Sequence, residues 1–196
     1  MNISTKVAFY LSLILLASSA VTYVVGDPLT RLLSYQGPIL GGGLLGWYVL
    51  NSSVPKDQVV EVDGSLMPAV SYILRKRIWL AFVAFSVLVI PWLTPPVAVV
   101  VEHSIAFSIT AFISQLVGGF VLGYFISSLK FMEKVVLFSL GFAGDIFYVM
   151  LLYIFSTLFQ VSQSVLVNDV LGFIYGIKFT EGIVFAVYVI KKVNAI

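Results

Sequence analysis

Long apolar runs separated by short polar breaks set the pattern of this chain. They fall at about residues 7–25, 32–50, 78–93, 105–129, 135–159 and 170–190. A helix needs about 20 mainly apolar residues to cross a bilayer core, so the pattern predicts six transmembrane helices in one integral membrane domain over residues 1–196. The expected fold class is an all-α, polytopic membrane helix bundle. Periods shorter than a span refine it. Leu66, Met67, Val70, Ile73 and Leu74 fall at helical spacing after the polar stretch Asn51 to Ser65, which predicts an interfacial amphipathic helix over Leu66 to Leu74 on the cytoplasmic side.

The breaks carry the usual punctuation. The first run, Val7 to Val25, follows Lys6 and stops at Gly26-Asp27-Pro28, where glycine and proline end a helix. A positive start and the string Ala17-Ser18-Ser19-Ala20 also fit a signal peptide. The apolar stretch nevertheless continues through Val21, Tyr23, Val24 and Val25, beyond the usual hydrophobic region of such a segment, and the expectation is a retained first helix. The second run, Leu32 to Leu50, contains Gly37-Pro38 and then Gly41, Gly42, Gly43 and Gly46; it reads as short, glycine-rich and kinked or partly unwound. Pro95-Pro96 stops the third run, and Glu102 and His103 lie at the junction before the fourth.

Composition agrees with this class. Of 196 residues, 60% are apolar and 10% charged, against roughly a quarter charged in a soluble domain. With no cysteine and one histidine, His103, thiolate metal sites, iron–sulfur clusters, bis-histidine haem and cysteine nucleophiles are excluded. No metal and no cofactor are expected. The formal charge of +2 is spread without a basic run of the kind that binds nucleic acid. Its distribution orients the chain: Lys6, Lys56, Arg75, Lys76, Arg77, Lys130, Lys134, Lys191 and Lys192 fall on one side of a six-span map, and only Arg31 on the other. The positive-inside rule then predicts a multi-pass protein of the cell membrane with both termini cytoplasmic.

Three ionisable residues fall inside predicted spans. Asp145 lies in the fifth, roughly 16 Å of helix rise beyond Lys134, and Lys178 and Glu181 lie in the sixth, spaced to share a helix face. An uncompensated charge at that depth costs at least about 2.5 kcal/mol. The economical arrangement packs the two helices so that Asp145 and Glu181 flank Lys178. Such a cluster either locks the helices together or handles a substrate, ion or proton. A second set occupies the outward half of the predicted bundle. Tyr35, Gln36, His103, Ser108, Gln115, Tyr148, Asp169 and Tyr175 offer hydrogen-bonding groups beside aromatic walls, the composition of a small-molecule pocket. Hydroxyls in membrane helices also bond their own preceding turn, and boundary tyrosines also form the aromatic belt. Glycines four apart, Gly42 and Gly46, Gly119 and Gly123, Gly172 and Gly176, predict close helix packing. No hydrolase, zinc-protease or nucleotide-binding motif occurs in a usable context, so no enzyme is expected.

Gly37-Pro38-Ile39-Leu40-Gly41-Gly42-Gly43-Leu44-Leu45-Gly46, shortly after the first helix of a six-span chain, resembles the glycine–proline segment of the substrate-binding S components of energy-coupling factor vitamin transporters. The resemblance covers ten residues together with the topology. It implies a membrane-embedded subunit that captures a vitamin-like micronutrient from outside and associates with a transmembrane coupling subunit and ATPases. The long charged stretch between the second and third spans departs from that family's pattern, and no motif specifies the solute. Two other classes fit the same residues: an accessory structural subunit of a larger membrane complex, and a small ion- or proton-coupled carrier using Asp145, Lys178 and Glu181.

Overall fold

The computed structural model describes residues 5–53, 58–62 and 65–194. About 90% of it is helical, and among the described residues sheet is confined to one hairpin. Four helices are long and apolar enough to cross a membrane: Thr5–Val25, Ile105–Ile126, Phe131–Leu158 and the helix from Gln163 to Lys191. A fifth crossing is available if Ala69–Leu93 and Pro95–Glu102, bent by 67° at their junction, form one broken span. The bend has a sequence cause: Pro91 lacks the N–H that would continue the backbone ladder, and Thr94, extended ahead of Pro95-Pro96, starts a new helix.

The chain folds as two compact units. The larger comprises the described residues among 5–25 and 34–130. Its helices are α1 (Thr5–Val25), α3 (Gln36–Ser53), α4 (Ala69–Leu74), α5 (Ile78–Val89), α6 (Pro95–Glu102) and α7 (Ile105–Ile126). The short helix α2 (Pro28–Ser34) precedes α3, and all but its last residue belong to the smaller unit. The glycine-rich segment differs from its expectation: α3 is an unbroken helix. Pro38 sits in its first turn, where a missing N–H leaves no bond unmade, and the break in the chain lies earlier, at Tyr35.

Two glycine faces make α3 the centre of this unit. A Cβ at Gly37 would collide with Ser19 of α1, and one at Gly41 would stand 3.2 Å from the Ser12 carbonyl. On the other face a Cβ at Gly42 would overlap the Leu116 carbonyl, and one at Gly46 the Phe120 carbonyl. The packing is reciprocal, because a Cβ at Gly119 or Gly123 would overlap the carbonyls of Ile39 and Gly43. The order of these contacts gives helix directions: α3 runs antiparallel to α1 and parallel to α7. Ser114 of α7 donates to the Leu88 carbonyl at 2.7 Å and Gly118 lies beside Val89 and Phe85, so α5 is antiparallel to α7. Ala8 and Ser12, fully buried, belong to the α1 face that α3 covers.

One end of this unit is tied by polar contacts. Asn51 Nδ2 donates to Ser127 Oγ at 3.3 Å, and Arg75 donates to the Ser128 carbonyl at 3.1 Å. The end of α3, the approach to α5 and the end of α7 therefore lie together. Beyond α3 the first third of the expected amphipathic helix, Leu66 to Pro68, is strand instead. β1 (Val59–Val62) pairs antiparallel with β2 (Ser65–Pro68), Val60 opposite Met67 and Val62 opposite Ser65, and only Ala69–Leu74 is helical. The β-branched residues of β1 favour a strand, and its pairing with β2 overrides the helical spacing of the apolar residues after it.

The smaller unit comprises most of α2, with α8 (Phe131–Leu158), α9 (Gln163–Leu171) and α10 (Phe179–Val193). Between α9 and α10 a π-helical segment, Gly172–Lys178, keeps the rod continuous. Phe131 meets Tyr188 and Phe138 stacks on Phe185 with ring centroids 3.8 Å apart, so α8 and α10 are antiparallel. Leu29, Leu152, Phe155 and Phe173 form its buried core. Large apolar side chains such as Ile146, Phe147 and Ile183 remain exposed, which suits a lipid-facing surface.

Candidate functional site

Asp145 projects from the middle of α8, and Glu181 lies one turn beyond Lys178 at the start of α10. The structure brings the three together. Lys178 Nζ lies 3.1 Å from Asp145 Oδ1 and 3.0 Å from Glu181 Oε2. The Lys178 side chain is 13% exposed, and the ammonium also stands 5.1 Å from the centroid of the Phe173 ring, within the range where a ring face attracts a cation. Phe173 packs on Tyr148 with centroids 4.9 Å apart, and Tyr148 donates its hydroxyl to the Leu32 carbonyl at 2.7 Å. A chain of contacts thus runs from α2 to the mid-helix charges. Glu181 Oε1 is buried and has no hydrogen-bond partner among the described residues.

The same unit holds a second polar group at its other end, and sequence reasoning missed two of its members. Asp27 caps α2, accepting from the Leu29 and Thr30 amides at 2.8 and 3.1 Å. Thr30 Oγ1 lies 2.8 Å from Asp27 Oδ2 and 3.1 Å from Asp169 Oδ2. One hydroxyl has one proton, so the two carboxylates compete for it. The sequence signal was Asp27-Pro28-Leu29-Thr30, an N-cap residue followed by proline at the first helical position.

The outward set divides between the two units. In the larger one, Tyr35 is buried and stacks on Tyr23 with centroids 6.0 Å apart, and Gln36 begins α3 half-buried. His103 is exposed and its Nδ1 lies 2.7 Å from the Val99 carbonyl one turn back. Ser108 is within bonding distance of the Val101 and Ser104 carbonyls, at 2.8 and 3.0 Å. Gln115 is different. It is 0% exposed, and neither its Oε1 nor its Nε2 has a partner among the described residues. In the smaller unit Tyr148 and Asp169 take the bonds given above, while Tyr175, inside the π segment, is 67% exposed.

The glycine pairs also separate. Gly42, Gly46, Gly119 and Gly123 lie against backbone, whereas no heavy atom stands within 4 Å of where a Cβ would sit at Gly172 or Gly176. That spacing therefore marks helix contact in one unit and open space in the other. Among the described residues no three His, Cys, Asp or Glu side chains gather as a metal-holding group. No family model, no curated protein and no solved structure matches the chain.

Proposed function

We propose that this chain is the membrane-embedded substrate-binding subunit of an uptake transporter for a micronutrient-like small solute. Gln115 carries the reading. A carboxamide buried in a membrane helix with donor and acceptor both unpaired is destabilising by about 1–3 kcal/mol for each group, and a solute polar group is the kind of partner that offsets it. The protein crosses the cell membrane six times with both termini cytoplasmic, and a transmembrane coupling subunit and ATPases supply the energy. The parallel pairing of α3 with α7 supports the span count, since two neighbouring spans in the same direction need a return crossing between them. On this reading the bent pair Ala69–Leu93 and Pro95–Glu102 provides it.

The ion-paired triad favours a second reading, a small ion- or proton-coupled carrier that works alone. Intramembrane ionisable residues mark ion and proton pathways, and Lys178 held between two carboxylates is an exchangeable arrangement. Uptake assays separate the two. Liposomes containing the purified chain alone, under an imposed proton or sodium gradient, should show no concentrative uptake, while cells coexpressing the partner subunits should. Gradient-driven uptake by the lone chain would move the assignment to the carrier.

A further inference from the structure

From Gly172 to Lys178 the backbone is π-helical, bonding i to i+5 where an α-helix bonds i to i+4. Such a segment amounts to one surplus residue wound into an α-helical rod; it is a rare element and a frequent one at functional sites. Here both flanks are anchored. On the α9 side Asp169 meets Thr30 and Phe173 meets Tyr148; on the α10 side Lys178 pairs with Asp145, Phe185 stacks on Phe138 and Tyr188 lies by Phe131. Inside the segment Gly172 and Gly176 have open space around them, so no side chain of theirs obstructs rewinding.

We propose that Gly172–Lys178 is a rotational joint that makes and breaks the Asp145–Lys178 ion pair. With the π turn in place, Lys178 reaches across to Asp145. If the same seven residues rewind as α-helix, α10 turns relative to α9 by about the 100° that one residue spans. Lys178 then leaves Asp145 while keeping Glu181, which lies three residues on and moves with it, and the same turn takes Phe185 and Tyr188 off Phe138 and Phe131. The poorer hydrogen-bond geometry of the π turn opposes the ion pair that the turn permits, and that opposition gives the segment two competing states. The joint thereby couples the Asp27–Thr30–Asp169 end of this unit to the charges in mid-helix. It stands independently of the solute-binding proposal, which rests on Gln115 in the other unit.

Spin labels test it, because the chain has no cysteine of its own. Labels at V136C on α8 and V187C on α10, both exposed positions, report rotation of one helix against the other. The parent should give two distance populations differing by several ångströms, on the order of 8 Å for side chains about 5 Å from the helix axis. Lys178→Met removes the pair and should shift weight to the population that is minor in the parent. Deleting Ile174 removes the surplus residue and leaves Phe173 and Lys178 four apart. That variant should show one distance only and melt in detergent well above the Ile146 deletion, losing no more than Lys178→Met does. Deleting Ile146 from the uninterrupted α8 supplies the damaged control. Distances insensitive to Lys178→Met would overturn the joint, as would an Ile174 deletion as damaging as the Ile146 one.

Discussion

A charge in an apolar helix narrows its own surroundings, and Lys178 illustrates how far. Its i, i+3 relation to Glu181 is readable from sequence, as is the shared depth of Asp145 on the preceding span, and the two salt bridges are the consequence. Asp145→Asn and Lys178→Met should each destabilise the protein in detergent by about 1–3 kcal/mol, a range below that of a fully buried pair because these side chains are partly exposed. The double variant should recover at least a third of the summed loss. Chemical denaturation of all four proteins checks this; strictly additive losses would mean the residues are not partners. Gln115 obeys the opposite logic, since an orphaned carboxamide weakens the fold it sits in. Gln115→Met should raise stability by about 1–2 kcal/mol, read by the same denaturation assay. What sequence could not disclose at this scale is which hydroxyls are already satisfied. His103, Ser108 and Tyr148 look like pocket residues in one dimension, yet each lies within bonding distance of a backbone carbonyl.

Among the elements, the glycine-rich helix shows both the reach and the limit of pattern reading. The spacing of Gly42 and Gly46 announces close approach, and α7 answers it with Gly119 and Gly123. Gly46→Ala should therefore force α3 and α7 apart and destabilise by about 2 kcal/mol or more. At Gly144 of α8 nothing stands within 4 Å of an added Cβ, so Gly144→Ala should stabilise by about 0.5–1 kcal/mol through helix propensity alone. Thermal melts of the two variants in one detergent compare them directly, and similar shifts would contradict the packing described. Gly37-Pro38 misled because the same dipeptide that ends a helix also begins one. The hairpin was missed because strands of four residues are too short for alternation to outweigh the helical spacing that follows. The π segment has no hydropathy signature at all, since one surplus residue leaves an apolar run apolar.

For the whole molecule, apolar runs supplied the membrane class, because hydropathy is additive along the chain, and the asymmetry of lysine and arginine proposes an orientation. The count of crossings was harder to read, since a proline-broken pair and a glycine-rich helix each fall short of a simple apolar span. Cysteine-scanning with a membrane-impermeant reagent tests the orientation: His103→Cys should label in intact cells and Lys130→Cys only after permeabilisation, and the reverse pattern would invert the map. The proposed solute-binding role has a more direct test. Native mass spectrometry of the gently purified chain should show a small-molecule adduct on the parent and none on Gln115→Met, with the variant at least as thermally stable. A parent without any adduct, or an adduct that survives in Gln115→Met, would contradict solute capture at the buried carboxamide.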